Sequence, residues 1–239
     1  MSRAWAIAVR EWSGYFRQPA GWVIVALYLF LAGLVFATAV LVPGRTASLR
    51  DFFALSGWLL LPVAPAVSMR LLSDELRSGT IENLLTAPVS SVAIIAGKYM
   101  GACFFLLAML APTLIYPFVL RTFSSPAPDA GPMVAGYLCL LLLGAFYLAI
   151  GTFASTLTPN GTLAFLVTLF AVLILMFAGS APADTPPAIR SALASVWITP
   201  RIADFARGVI DTSHVVFFVT ASAWFVFLAV VSLEVRRWR

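Results

Sequence analysis

The sequence predicts an all-α integral membrane protein: six transmembrane helices preceded by an N-terminal amphipathic helix lying in the membrane interface. Three observations predict it. The 239 residues are 62% hydrophobic and only 10% charged, whereas a soluble domain carries about 25% charged residues. Mean hydropathy is +0.98. Six apolar stretches, 22–42, 52–69, 99–120, 133–154, 163–180 and 215–233, contain no Asp, Glu, Lys, Arg or His. Each falls within the roughly 17–25 residues that a bilayer core demands of a helix. So few charges cannot cover a water-facing globule of this size. That excludes a soluble domain, a disordered chain and a nucleic-acid partner, and leaves the lipid bilayer as the surroundings.

Residues 2–18 form the first element. At 100° per residue, Trp5, Val9, Trp12 and Phe16 fall within about 60° of one another, and Arg3, Arg10 and Arg17 cluster on the opposite side. Such a helix anchors in the interface with its rings among the headgroups and its guanidiniums in water. The run that follows, 22–42, starts late and is longer than the about 7–15 residues of a signal-peptide core. Despite the small-x-small triplet Ala37-Thr38-Ala39, it reads as an uncleaved first span. The second run carries Pro62 and Pro65. Proline removes a backbone donor and clashes with the preceding turn, so a kinked span is expected, with a dip in and back as the alternative.

Loop 70–98 is ordered by its own residues. Ser73 is placed to cap a short helix whose first turn holds Asp74 and Glu75, favourable at the positive dipole end. Gly79 breaks that helix. Thr80 then caps a second one from Ile81 to about Thr86, which Pro88 ends because the residue before proline disfavours α geometry. Ser91 starts the helix that continues into the third span. A short helix with apolar Ile81, Leu84 and Leu85 is thereby displayed between two turns, framed by Glu75 and Glu82. Beyond the fifth run, Thr185-Pro186-Pro187 opens a helix to about Trp197, and Thr199-Pro200 opens another ending near Gly208. These two short amphipathic helices are expected on, or partly within, the outer leaflet. Loop 121–132 has turn chemistry in Ser124-Ser125-Pro126-Ala127-Pro128-Asp129. With no repeat and no separating linker, residues 1–239 read as a single domain.

Six spans leave both termini on one side. The N-terminus, loop 70–98 and the C-terminus hold nine Arg and Lys, while segments 43–51, 121–132 and 181–214 hold six. The excess puts both termini and loop 70–98 in the cytoplasm. Lys98 is the sole lysine, and Cys103 and Cys139 lie inside apolar runs, where cysteine behaves as a small hydrophobe. One His, His214, and two separated Cys do not make a metal site. No run holds a carboxylate of the kind a cation-coupled carrier uses, and there is no base for a Ser-His hydrolase. A phosphate-binding G-x-x-x-x-G-K-[ST] loop is absent; Gly97-Lys98 comes nearest, but Val92 and Tyr99 break the pattern. Gly97-x-x-x-Gly101 is a helix-packing pattern. No catalytic, metal or cofactor site is therefore expected in this chain.

Glu75-x-x-x-Gly79-Thr80-x-Glu82-x-x-Leu85-x-x-Pro88-Val89-Ser90, followed by Gly97-Lys98, resembles the permeases of the ABC-2 transporter family. Thr199-Pro200 with Asp204-Phe205-x-x-Gly208-Val209-Ile210-Asp211 is similar to the branch associated with gliding motility and the nitrous-oxide-reductase copper system. Loop 155–161, a second cytoplasmic contact in such permeases, is short and uncharged here. The resemblance implies a type V exporter-like fold in the bacterial inner membrane, with a second permease copy or paralogue alongside. It implies cytoplasmic ABC ATPase subunits below, which hold the ATP and Mg. It also implies that loop 70–98 is the coupling element, with Glu75, Gly79, Thr80, Ile81, Glu82, Leu84, Leu85 and Pro88 as its residues. The expected function is export or extrusion of a substrate driven by that separate ATPase. The alternative is an ATPase-driven assembly or force-transmitting component that acts on a partner with a periplasmic domain and moves no solute. A channel is disfavoured because no span offers a ring of charges or a carbonyl filter.

Overall fold

The computed structural model describes residues 3–41, 48–81, 89–124, 129–180 and 186–237, and every regular element among them is helical. In chain order these are α1 Arg3–Arg17, α2 Pro19–Val35, α3 Arg50–Ser68, α4 Ser73–Ser78, α5 Ser91–Leu110, α6 Ile115–Phe123, α7 Ala130–Leu157, α8 Gly161–Phe177, α9 Pro187–Val196, α10 Thr199–Ala206 and α11 Thr212–Arg237. A π turn, Phe36–Val40, extends α2, and a 3₁₀ turn, Ala111–Leu114, joins α5 to α6 at Pro112. Six helical stretches are long and apolar enough to cross a membrane: Pro19–Val40, Arg50–Ser78, Ser91–Phe123, Ala130–Leu157, Gly161–Ser180 and Thr212–Arg237. Each overlies one of the six predicted runs.

The second span is a single helix through Pro62 and Pro65, as the full-span reading expects, and the dip-and-return alternative falls away. The apolar windows of the second and fourth spans are 61% and 67% buried, against 22–33% for the others, so α3 and α7 form the centre. Small residues in α7 admit its neighbours. A Cβ at Gly136 would overlap the Phe53 ring, one at Gly144 would overlap Leu106, and one at Gly151 would overlap Ser68. The outer faces of the peripheral spans stay apolar, with Trp22, Leu27 and Phe30 on α2, Phe170 and Ile174 on α8, and Val219 and Phe227 on α11 all exposed. Continuous apolar surface of this kind suits lipid or another membrane chain and not water.

Caps set the helix starts, not always at the expected residue. Ser90 accepts from the Ala93 amide at 3.2 Å, Asp129 from Gly131 at 3.1 Å, Asn160 from Thr162 at 3.0 Å and Asp211 from Ser213 at 2.7 Å. Each satisfies an amide that the first turn leaves free. Ser73 does not cap α4: Leu72 holds that position, and the Ser73 hydroxyl donates backwards to the Met69 carbonyl. Ser73 loses the capping role because that carbonyl lies within reach. Thr199-Pro200 opens α10 as expected, with Thr199 its first helical residue and the Thr199 hydroxyl donating to the Met176 carbonyl at 2.8 Å.

The bundle has two unlike ends. At one, α1 and α4 gather around the start of α5, and Arg236 of α11 donates to the Leu157 carbonyl at 3.3 Å. At the other, the Trp197 indole N–H donates to Met176 at 2.9 Å while its ring covers Gly179. From there α10 enters the bundle, with Ile202 and Phe205 buried and Ile202 reaching Gly57. Gly57 is seven residues into α3, about 10 Å along a helix. The preceding α9 has no buried residue. Helices α9 and α10 therefore differ: α10 is sunk between α3 and α7, and α9 is exposed.

Candidate functional site

The site is built from three segments distant in sequence: α1, α4 and the start of α5. Helix α1 has three faces, not the two that its charge and aromatic pattern announce. Trp5 and Trp12 remain 42% and 40% exposed, and Arg3, Arg10 and Arg17 are exposed on another face. A third face, running through Ala4, Ile7, Ala8, Glu11 and Tyr15, packs on α5. Gly97 and Gly101 make this possible. A Cβ at Gly97 would lie 2.7 Å from the Ala4 carbonyl oxygen, and one at Gly101 would lie 2.7 Å from the Glu11 side chain. The pattern read only as generic helix packing is the seat of α1. Phe16 joins the packing, 5.4 Å from Phe105 and 5.4 Å from Trp22 between ring centres, and Trp5 meets Phe104 at 5.6 Å. The Tyr15 phenol donates to the Val67 carbonyl of α3 at 3.0 Å, and burial pushes its pKa up, well beyond the ordinary tyrosine range.

Next to Gly97 stands Lys98, only 2% exposed. Its ammonium is 3.0 Å from Oε1 of Glu11 and 2.9 Å from Oε1 of Glu75. Arg10 adds a looser contact to Glu11 at 3.6 Å. An ammonium is removed from water only at a cost of several kcal/mol, which paired and hydrogen-bonded carboxylates offset. One lysine of α5 thus ties α1 to α4. Its signal in the sequence is faint: a sole lysine at the edge of an apolar run.

Helix α4 ends at Gly79, whose φ of 72° is the left-handed conformation glycine adopts without strain. The Ser78 and Thr80 hydroxyls, 2.8 Å apart, brace that turn. Two of the expected partner-facing residues point inward instead. Glu75 faces Lys98, and its Oε2 is buried with no donor among the described residues. Ile81 is 9% exposed and belongs to the chain's own hydrophobic core. Gly79 and Thr80 are exposed. Glu82, Leu84, Leu85 and Pro88 lie outside the described residues.

The motif at the far end holds the fold together. Asp204 Oδ2 is 3.1 Å from His214 Nε2, and Oδ1 is 3.8 Å from Arg207, joining α10 to α11. Phe205 is fully buried. Gly208 has φ 89° and lies against Pro132, where a Cβ would meet Pro132 Cγ at 2.9 Å. Asp211 caps α11, and the Ser213 amide holds its carboxyl below the usual carboxylate range. Beside them the Arg201 guanidinium lies 3.8 Å over the Phe217 ring and donates to the Trp197 and Ser195 carbonyls. Partial burial lowers its pKa. Asp204, Phe205, Gly208 and Asp211 thus form one packed corner, remote from the Lys98 cluster.

Among characterised proteins no match was found. The description "ABC-2 family transporter protein" matches residues 5–185, which takes in α1, the first five spans and loop 70–98 but stops before the far-end corner. With most of its length matched, six spanning helices and an amphipathic first helix, the chain belongs to the ABC-2 family of transporter proteins.

Proposed function

We propose that the chain is the membrane-spanning permease half of an ATP-driven exporter, working beside a second permease copy or paralogue above two cytoplasmic ATPase subunits that hold ATP and Mg. Loop 70–98 is the element those subunits engage. The observation that carries this reading is the Lys98 cluster, in which the loop helix α4 is ion-paired to α5 and, through the same ammonium, to α1. A displacement applied to the loop reaches a span and the interfacial helix together and is not absorbed by a slack connector. Because Glu75 and Ile81 are engaged within the chain, the docking surface narrows to Gly79, Thr80 and segment 82–88 with Glu82, Leu84 and Leu85. Membership of the gliding-motility and copper-system branch rests on the Asp204 to Asp211 motif. The bacterial inner membrane, with cytoplasmic termini, is the location this reading requires.

The test is co-purification of the ATPase with wild-type and variant permease, alongside transport by the complex. Leu84→Asp places a charge in the contact. Glu82→Ala removes one member of a charge pair, a change that costs about 2–5 kcal/mol when the pair is buried. Both are expected to weaken ATPase association with membrane insertion unchanged. Gly79→Pro is expected to retain binding and lose transport. Full binding and full transport in Leu84→Asp would return the loop to the role of a connector.

A further inference from the structure

A cavity of about 480 Å³ opens beside the Lys98 cluster, between α1, α2, α3 and α4. Its lining combines polar Tyr15, Arg70, Asp74 and Glu75 with apolar Val23, Ile24 and Val67. Val23 is itself 63% exposed on the outer face of α2, so the apolar lining continues onto that helix's apolar surface. The polar lining carries both signs. The Arg70 guanidinium and the Asp74 carboxylate are exposed and pair with no described residue. Glu75 Oε2 is enclosed, out of reach of the cavity, with no hydrogen-bond donor among the described residues. The neighbouring Lys98 is held by Glu11 and Glu75. The charges of this lining open to a ligand are therefore Arg70, which suits an anion, and Asp74, which suits an N–H donor.

The volume is that of a small-molecule site, and its height is fixed by the surrounding anchors. Helix α1, with exposed Trp5 and Trp12 on one face and arginines on another, is of the kind that rests among headgroups, and α2 enters the apolar zone directly after it at Pro19. We propose that this cavity binds the headgroup of an aminophospholipid, with the phosphate on Arg70, the primary ammonium on Asp74, and an acyl chain along Val23 and Ile24 of α2. A quaternary ammonium has no N–H to give this carboxylate, and an uncharged headgroup leaves it without a cation. Phosphatidylcholine and phosphatidylglycerol are therefore the discriminating comparisons.

The full-length protein, freed of lipid in detergent, is titrated with short-chain phosphatidylethanolamine, phosphatidylcholine and phosphatidylglycerol and observed by native mass spectrometry. One phosphatidylethanolamine per chain is expected, bound about tenfold tighter than either comparison lipid, a difference of about 1.4 kcal/mol. Arg70→Gln removes the phosphate contact that all three lipids share and is expected to weaken each of them about equally; Asp74→Asn removes the partner of the ammonium and is expected to lose most of the preference, with the chain folded in both variants. Equal retention of the three lipids, a preference that survives Asp74→Asn, or affinities unchanged by Arg70→Gln overturns the site. Displacement by soluble glycerophosphoethanolamine as readily as by the lipid overturns the lipid assignment and leaves a soluble zwitterion as the ligand.

Discussion

The Lys98 ammonium lies 2.9 Å from Oε1 of Glu75, so the acidic residue whose position in the loop suggests a partner's basic side chain is already paired within the chain. The geometry makes a direct stability prediction. Lys98→Met leaves two carboxylates facing each other without their cation, and breaking a buried pair this way costs about 3–5 kcal/mol. The triple variant Glu11→Gln, Glu75→Gln, Lys98→Met removes all three charges and should recover most of the loss. Thermal unfolding in one detergent measures both. Equal destabilisation of the single and triple variants would show that the three charges do not act together.

Gly101 tests the seat of α1. In Gly101→Val the new Cβ meets the Glu11 side chain and the Ala8 carbonyl oxygen, at 2.7 and 2.9 Å. Overpacking of this kind costs about 1–3 kcal/mol, and it should loosen α1, read as faster tryptic cleavage at the exposed Arg10. Gly14 has nothing within 4 Å of its would-be Cβ. Gly14→Ala should therefore act oppositely and stabilise the helix by about 0.5–1 kcal/mol. Identical cleavage rates in the three proteins would contradict the packing.

At the far end, Gly208→Ala meets two penalties, a left-handed φ and contact with Pro132. Strain of this order costs about 1–3 kcal/mol, and the loss should appear as a lower unfolding temperature. A variant as stable as the wild type would mean that the corner does not need glycine.

The Asp211 cap gives a pH prediction. The Ser213 amide lowers the folded pKa of this carboxyl, so its contribution is complete above the ordinary Asp value of about 3.9 and fades as pH falls through the depressed folded value. Hydrogen exchange at the start of α11, corrected for the intrinsic rate, should accelerate over that acid range. Asp211→Ser keeps a cap that does not titrate, so its protection should not follow pH. An acid-induced loss equal in both proteins would locate the titration elsewhere.

Orientation is tested with single cysteines at Ser78 and Ser191, both exposed, in a background with Cys103 and Cys139 replaced by Ala. An impermeant thiol reagent on intact cells should label position 191 and spare 78. The reverse pattern would invert the membrane topology.

The spans were legible because burial in lipid demands an uninterrupted apolar run, and nothing competes with that signal. The centre of the bundle was not legible: α3 looked weakest, with its two prolines, yet it is among the most buried spans. The third face of α1 escaped because Ala4 and Ala8 are small and Glu11 is polar, so hydropathy does not mark them for burial. Lys98 is separated from Glu11 by 87 residues, and a pairing across that distance leaves no periodicity. Ile81 reads as displayed because it stands in a short segment between two turns. Its cover comes from the rest of the chain.

The seating of α1 on Gly97 and Gly101 also constrains the order in which the protein can be made. The helix leaves the ribosome ahead of the glycines and the lysine that hold it, which follow two complete spans later. Throughout that interval α1 has little beyond Trp22 of α2 and the Val67 carbonyl of α3 to rest on. Its exposed tryptophans and arginines are of the kind that settles at a membrane surface, a berth that asks nothing of the unfinished chain. A nascent chain halted before Gly97 is expected to hold α1 by those side chains and these few contacts. The face bearing Ala4, Ala8 and Glu11 would stay empty until the third span arrives to claim it.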